Sequence, residues 1–94
     1  MSLTRMLFSL GRVVAAPAAL EALAEGSEDP YLYLGRHVTG DWGDLDREDH
    51  AANTLALMTG ERILSAYRTS RDAKLWVITE ADRSSTCLLL PDEY

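Results

Sequence analysis

RILSAYR (62–68), KLWVITE (74–80) and STCLLL (85–90) are three apolar runs, separated by polar turns at 69–73 and 81–84. Their β-branched and aromatic residues, with a period of two in the first run, are typical of β-strands. Pro91 ends the last run. Because both connections are short, the runs predict an antiparallel β-meander at the C-terminal end of the chain. This meander decides the fold class.

Three short helices are predicted upstream of the meander. Pro17 suits the first helical position of a helix over 17–24 that stops at Gly26. Asp29 caps a second helix over 30–37. Asp46 caps a third helix, which ends at Gly60. The spacing of apolar residues predicts one inward stripe on each helix: Leu20, Leu23 and Ala24; Tyr31, Leu34 and Val38; Ala52, Leu55, Ala56 and Thr59.

Residues 6–15 add a predicted first strand, with Gly11 at a bend or bulge. The chain of 94 residues is then a single α+β domain spanning 1–94. We expect two layers, with three short helices packed on an antiparallel sheet of three or four strands.

The charge and the cysteine content exclude several classes of function. A formal net charge of −6 disfavours nonspecific binding to nucleic acid or to an anionic membrane, and it suits a protein partner with a basic surface. The single cysteine, Cys87, excludes an intramolecular disulfide and a Cys-rich zinc site. Residues 1–8 are not typical of a signal peptide, and no charge-free run reaches the roughly 18 residues of a membrane span. We therefore expect a cytoplasmic protein.

The first cluster of chemically active side chains lies between Arg36 and Asp44. It holds a guanidinium, the imidazole of His37, the carboxylates of Asp41 and Asp44, and the indole of Trp42. One hypothesis makes His37 a general acid or base and Arg36 an anion clamp. The structural alternative has a charged His37 capping the second helix, the aspartates bonding in turns, and Trp42 closing the edge of the core.

The second cluster contains Glu80, Asp82 and Arg83 at the turn before the last strand. If the fold brings the two clusters together, a small hydrolase or transferase would use His37 with Asp41, Glu80 and Arg83. The structural alternative is a turn capped by Asp82 and a network of ion pairs.

Motifs for phosphate loops, serine hydrolases, zinc proteases and Cys-x-x-Cys sites are absent from the sequence, and we predict neither a cofactor nor a metal. The segment 41–49 holds five carboxylates against one arginine. A single-sign surface of this kind steers basic partners, and it resembles a phosphate backbone. The predicted binding residues are Arg36, Asp41, Trp42, Asp44, Asp46, Asp49 and Asp82.

Four motifs carry a family resemblance: RH-x-x-GDWGDL (36–45), R-x-LSAY (62–67), W-x-ITEADRS-x-T (76–86) and LLP-x-EY (89–94). Over about residues 10–94 the chain resembles short bacterial proteins described as plasmid-related proteins of unknown function. Cys87 departs from the threonine expected there. The resemblance implies a mobile element, and by analogy an inhibitor of host defence, such as an anti-CRISPR or anti-restriction protein.

Three functions therefore remain open. The first is a non-catalytic inhibitor that blocks the basic surface of a nucleic-acid-binding complex. The second is the small enzyme described above. The third is a homodimeric accessory or assembly protein, which an uncovered apolar helix face would favour.

Overall fold

The computed structural model describes residues 5–94, and the predicted α+β fold is confirmed. The elements are β1 (Arg12–Ala15), α1 (Pro17–Glu25), α2 (Pro30–Val38), α3 (Arg47–Thr59), β2 (Ile63–Arg68), β3 (Lys74–Thr79), β4 (Ser85–Leu89) and a 3₁₀ turn (Pro91–Glu93). Met1–Thr4, the start of the N-terminal segment that is not typical of a signal peptide, lies outside the described residues. No helix within 5–94 combines the length and apolar character needed to cross a bilayer.

The sheet has the order β1-β4-β3-β2. The meander of β2, β3 and β4 is antiparallel, as predicted. The expectation of a wholly antiparallel sheet is wrong, because β1 pairs with β4 in parallel. β1 and β2 lie on opposite edges of the sheet and run in the same direction. The three helices connect them, since a chain that returns to a parallel strand needs a long crossover. The first strand is also shorter than expected and begins only after Gly11, which turns the chain at φ 62°.

α1 and α2 pack on one face of the sheet, and α3 packs at its β2 edge. Strand alternation places Ile63, Tyr67, Leu75, Val77 and Leu88 on this face, and all five are almost fully buried. The helices contribute Ala19, Leu23, Tyr33, Leu34 and Ala56. Burying each large side chain contributes about 1.5–3 kcal/mol, so this interface is the main apolar core.

The predicted helix boundaries hold to within one residue, and local contacts set the start of α2 and both ends of α3. Asp29 accepts a hydrogen bond from the Tyr31 N–H at 2.9 Å, and Asp46 accepts one from the Asp49 N–H at 2.8 Å. Gly60 ends α3 in the left-handed conformation, at φ 76°. These caps satisfy backbone groups that a helix end leaves without partners.

The C-terminal residues close the fold onto α1. Ala16, at the N-cap of α1, supplies no side-chain hydrogen bond. The Glu93 carboxylate replaces that cap by accepting from the Ala18 N–H at 2.8 Å and the Ala19 N–H at 3.2 Å. Tyr94 then lies edge-on to Trp76 on the opposite face of the sheet. The last residues therefore contact both the helix layer, through Glu93, and the opposite face of the sheet, through Tyr94.

The predicted inward stripes of α1 and α2 are partly wrong. Leu23, Leu34 and Val38 are buried as expected, but Leu20 and Tyr31 are 48% and 75% exposed, and Ala24 is exposed as well. The buried positions instead include Ala19, Ala22, Tyr33 and His37. Both helices are nine residues long and carry apolar side chains on more than one side, so spacing alone does not choose the buried row.

The predicted stripe of α3 is wrong except for Ala56. Asn53 is buried instead, and its side-chain amide donates to the Leu64 carbonyl at 2.6 Å and accepts from the Leu64 N–H at 3.1 Å. This pair of bonds pins a polar residue against the edge of β2. It fixes the rotation of the helix, so that Leu55 is 54% and Met58 85% exposed.

The segment before α3 extends the sheet beyond β2. Gly43 forms a parallel bridge with Ala66, in which the Ala66 N–H donates to the Trp42 carbonyl at 3.1 Å and the Asp44 N–H donates to the Ala66 carbonyl at 2.6 Å. Trp42 is buried beside this bridge. Gly43 has φ 76°, and a Cβ there would lie 2.0 Å from the Ala66 carbonyl oxygen.

A Cβ at residue 43 would therefore push this segment away from Ala66 and break the bridge to β2. We expect Gly43→Ala to lower the free energy of unfolding by at least about 2 kcal/mol, because it adds both backbone strain and a steric clash. The matched control is Gly35→Ala in α2, where a Cβ meets nothing within 4 Å. That change should raise stability by roughly 0.5–1 kcal/mol. Urea unfolding measures both; equal effects of the two substitutions would contradict the bridge.

Candidate functional site

His37, the proposed catalytic residue, lies in the last turn of α2 with its side chain in the core. It is 0% exposed. Its Nδ1 is 2.5 Å from Ser65 Oγ on β2, and its Nε2 is 2.9 Å from Thr79 Oγ1 on β3. One imidazole therefore joins a helix to two neighbouring strands.

The hydrogen bonds fix the direction of the protons around this imidazole. Thr86 Oγ1 donates to the Leu10 carbonyl at 2.7 Å, which uses its only proton. Thr79 Oγ1 lies 2.7 Å from Thr86 Oγ1 and must be the donor there. It then has no proton left for His37, so His37 Nε2–H donates to Thr79, and in a neutral imidazole Nδ1 accepts from the Ser65 hydroxyl. The imidazole is the neutral Nε2–H tautomer.

Aromatic rings cover the chain of hydrogen bonds around His37 and shield it from solvent. The Phe8 ring meets the His37 imidazole edge-on at 5.2 Å, and the Trp42 ring does so at 6.0 Å. Desolvation by burial lowers the pKa of His37 from 6.5 to about 4. The expectation that a charged His37 caps α2 is therefore wrong, because the side chain turns inward, where a charge is unfavourable.

Arg36 and Asp41 form a separate pair on the surface. Arg36 Nε donates to Asp41 Oδ2 at 2.7 Å, and the guanidinium lies 4.5 Å from the centre of the Tyr67 ring. Asp41 also accepts from the Gly43 N–H at 3.2 Å, as predicted for a turn aspartate. The hydrogen bond from Arg36 lowers the pKa of Asp41. Both side chains are about half exposed, so the pair orients the loop and adds little stability.

The second cluster is also occupied by local bonds. Arg83 donates to the carbonyl oxygens of Glu61 at 2.7 Å and Ala56 at 3.0 Å, so it joins three segments of the chain. Asp82 accepts from the Ser84 N–H at 3.0 Å and caps the turn, as predicted. Glu80 is exposed. The expected network of ion pairs is wrong, because within residues 5–94 neither Glu80, Asp82 nor Arg83 forms a salt bridge.

His37 contacts Thr79, the residue before the second cluster, but the charged groups of the two clusters do not gather around His37. Asp41 bonds to Arg36, Glu80 faces solvent, and Arg83 bonds to backbone carbonyls. Both His37 nitrogens are engaged inside the core, so an enzyme using His37 would have to open the core to admit a substrate. Residues 5–94 contain no group of three or more metal-ligating side chains.

Sequence reasoning missed the hydroxyl partners Ser65, Thr79 and Thr86. A usable signal was present, because strand alternation places Ser65 between Ile63 and Tyr67 on the inner face. A polar side chain at an inward position needs a buried partner. Within the described residues every buried side-chain polar atom has one.

The predicted acidic surface is defined by the exposed carboxylates of Asp41, Asp44, Asp46, Glu48 and Asp49. Asp46 caps α3, and the Gly43 bridge fixes the backbone between Asp41 and Asp44. Asp44 and Asp49 form no ion pair within residues 5–94. The acidic surface is thus held by backbone bonds while several of its charges stay free to meet a ligand.

A groove of about 520 Å³ lies beside the acidic surface, on the sheet face opposite α1 and α2. Its wall comes from the segment before α3 and the start of α3, and its floor from β2 and β3. The lining residues are Asp44, Leu45, Asp49, Leu64, Ala66, Tyr67, Arg68, Lys74 and Trp76. Its size is within the usual range for ligand pockets, about 300–1,000 Å³.

No family model, curated protein or solved structure matches this chain. The resemblance to plasmid-related proteins therefore stays a hypothesis that rests on the four motifs.

The burial of His37 predicts acid sensitivity. Above pH 6.5 the imidazole is neutral whether the chain is folded or unfolded, but between pH 6.5 and about 4 only the unfolded chain gains the proton. From pH 7 to 4.5 this group alone should remove about 2.5 kcal/mol of stability. Urea unfolding of the wild type and of His37→Gln isolates that contribution, because titrating carboxylates are common to both.

His50→Gln is the control, since it removes the other histidine and should retain the wild-type difference between pH 7 and 4.5. An NMR titration of His37 gives a direct second readout. A midpoint near 6.5 would show that the imidazole is open to solvent, against the buried arrangement.

Proposed function

We propose that this protein is a non-catalytic interaction module that docks its acidic surface onto a basic surface of a protein partner. The observation that carries the proposal is the rigid anchoring of that surface. Trp42 is buried against His37, Gly43 bridges to β2, and Asp46 caps α3. A surface fixed before binding loses little conformational entropy when it docks.

The finer proposal is that the partner is a host nucleic-acid-binding defence complex, of the CRISPR or restriction type, met in the cytoplasm. Such complexes hold nucleic acid in basic channels, and a row of exposed carboxylates competes for the same lysine and arginine side chains. The net charge of −6 and the resemblance to plasmid-related proteins both support this choice. Inhibition then requires only binding, with no cofactor.

Charge reversal tests the docking surface. Asp41 and Asp46 are poor positions, because Asp41 holds Arg36 and Asp46 caps α3. We therefore choose Asp44→Lys with Glu48→Lys and Asp49→Lys. A tagged wild-type protein should capture a nuclease or CRISPR complex from a lysate of its host. The affinity of this variant for the same complex should be lower by a factor of about ten or more.

The control places lysine at Glu21 and Glu25, two exposed positions on α1. Those changes alter the net charge away from the acidic surface and should leave capture intact. Unchanged capture by the Asp44, Glu48 and Asp49 variant, with its fold verified by circular dichroism, would refute docking through this surface. So would the absence of any partner for the wild type.

A homodimeric assembly protein is the second candidate, and the orientation of α3 favours it. Ala51, Ala52, Leu55 and Met58 form a row that faces solvent. The alanines would let a second helix approach closely, and Leu55 and Met58 would bury apolar surface against it.

Light scattering tests this candidate. If α3 forms a dimer, the wild type should have twice the monomer mass, and Leu55→Glu with Met58→Glu should be a monomer because two charges would be buried at the contact. Tyr31→Glu, a similar change at an exposed position of α2, should leave the dimer unchanged. A wild-type protein that is monomeric at high concentration would rule the dimer out.

A further inference from the structure

The groove on the open sheet face has an uneven balance of charge. Four charged residues line it: Asp44, Asp49, Arg68 and Lys74. Arg68 is already engaged, since its guanidinium donates to the Asp72 carboxylate at 3.1 Å. Within residues 5–94, neither the two aspartates nor Lys74 forms an ion pair. Two free carboxylates therefore face one free ammonium, and the uncompensated charge is negative.

Part of the floor of the groove is apolar and contains an indole. Trp76 on β3 lies opposite Ala66 on β2, with Leu64 further along the same strand. Trp76 is half-buried, and its ring packs edge-on against Tyr94 at 5.7 Å between ring centres. This contact orients the indole, which lines the same groove as Asp44 and Asp49.

We propose that this groove receives one arginine side chain from a basic segment of the protein partner. The inference rests on the proposed docking function and names the residue that would anchor it. A guanidinium is planar, stacks on an indole, and offers a fork of N–H donors to carboxylates. The groove presents both features together, with the indole of Trp76 on the floor and the carboxylates of Asp44 and Asp49 at the wall.

The remaining lining residues restrict what else fits. Lysine would reach the carboxylates but would lack the planar stacking group. Lys74 and Arg68 lie side by side at the hairpin end, where Arg68 pairs with Lys74 across the two strands. Lys74 forms no ion pair within residues 5–94 and repels a second cation there, so the residue next to the anchoring arginine in that direction is neutral or acidic. Arginine and aromatic anchors of this kind commonly dominate binding energy.

The test uses N-acetyl-L-argininamide and its neutral isostere N-acetyl-L-citrullinamide as probes. The chain has two tryptophans, so a ¹H–¹⁵N spectrum carries two indole signals that report separately. Trp76 lines the groove, while Trp42 is buried in the core and serves as the internal reference. Titration with the arginine probe should shift the Trp76 signal and leave that of Trp42 in place. The citrulline probe should bind about tenfold more weakly, because it loses the charged hydrogen bonds.

Paired variants locate the carboxylates. Asp44→Asn with Asp49→Asn keeps the shape of the groove and should weaken the arginine probe about tenfold. Glu21→Gln with Glu25→Gln changes the net charge equally on α1 and should bind like the wild type. The proposal is overturned if Trp76 does not respond, if citrulline binds as well as arginine, or if the aspartate variant binds unchanged.

The outcome is independent of partner capture. A negative titration together with loss of capture on charge reversal would mean that the partner docks by surface charge alone. A positive titration without any captured partner would refute the docking function and leave the groove as an arginine site.

Discussion

The hydrogen bonds of the buried His37 imidazole are the interaction on which the rest of this structure depends. They join α2 to β2 through Ser65 and to β3 through Thr79, and the chain continues through Thr86 to the Leu10 carbonyl. A buried polar network of this kind stabilises the fold only when every member has a partner, and here each one does. The sheet, the second helix and the N-terminal segment are thus held in one arrangement, in which the imidazole must stay neutral.

The same arrangement positions the acidic surface. Trp42 packs against the His37 ring, which brings the following residue, Gly43, to the edge of β2. From there the chain enters α3, whose start carries the exposed carboxylates and whose Asn53 holds the same edge further along. The core, the sheet extension and the proposed docking surface are therefore consecutive parts of one structure. A substitution at His37 would therefore change the packing of Trp42 and, through it, the position of the acidic surface.

Local signals made much of this fold predictable. Each meander strand has its own composition, and Asp29, Asp46 and Gly60 mark helix ends by side-chain and backbone chemistry that acts over a few residues. The parallel pairing of β1 was not predictable, because β1 has four residues and its partner β4 lies near the other end of the chain. The rotation of α3 depends on Asn53 meeting Leu64, which is a tertiary contact.

For the site, the residue types near His37 were visible in the sequence, but its inward orientation depends on Ser65 and Thr79, whose inward positions follow from strand alternation. The groove needs Trp76 and Asp49 from distant segments and has no local signal.

The claim that His37 is a neutral structural group, engaged at both nitrogens, is tested most directly by its tautomer. A long-range ¹H–¹⁵N spectrum at neutral pH distinguishes a protonated Nε2 from a protonated Nδ1. The hydrogen-bond chain predicts a single Nε2–H form, with Nδ1 accepting from Ser65. An Nδ1–H form or averaging between tautomers would contradict the chain, and an imidazolium would contradict the buried, neutral state of the ring. Any of these results would return His37 to consideration as a reactive side chain.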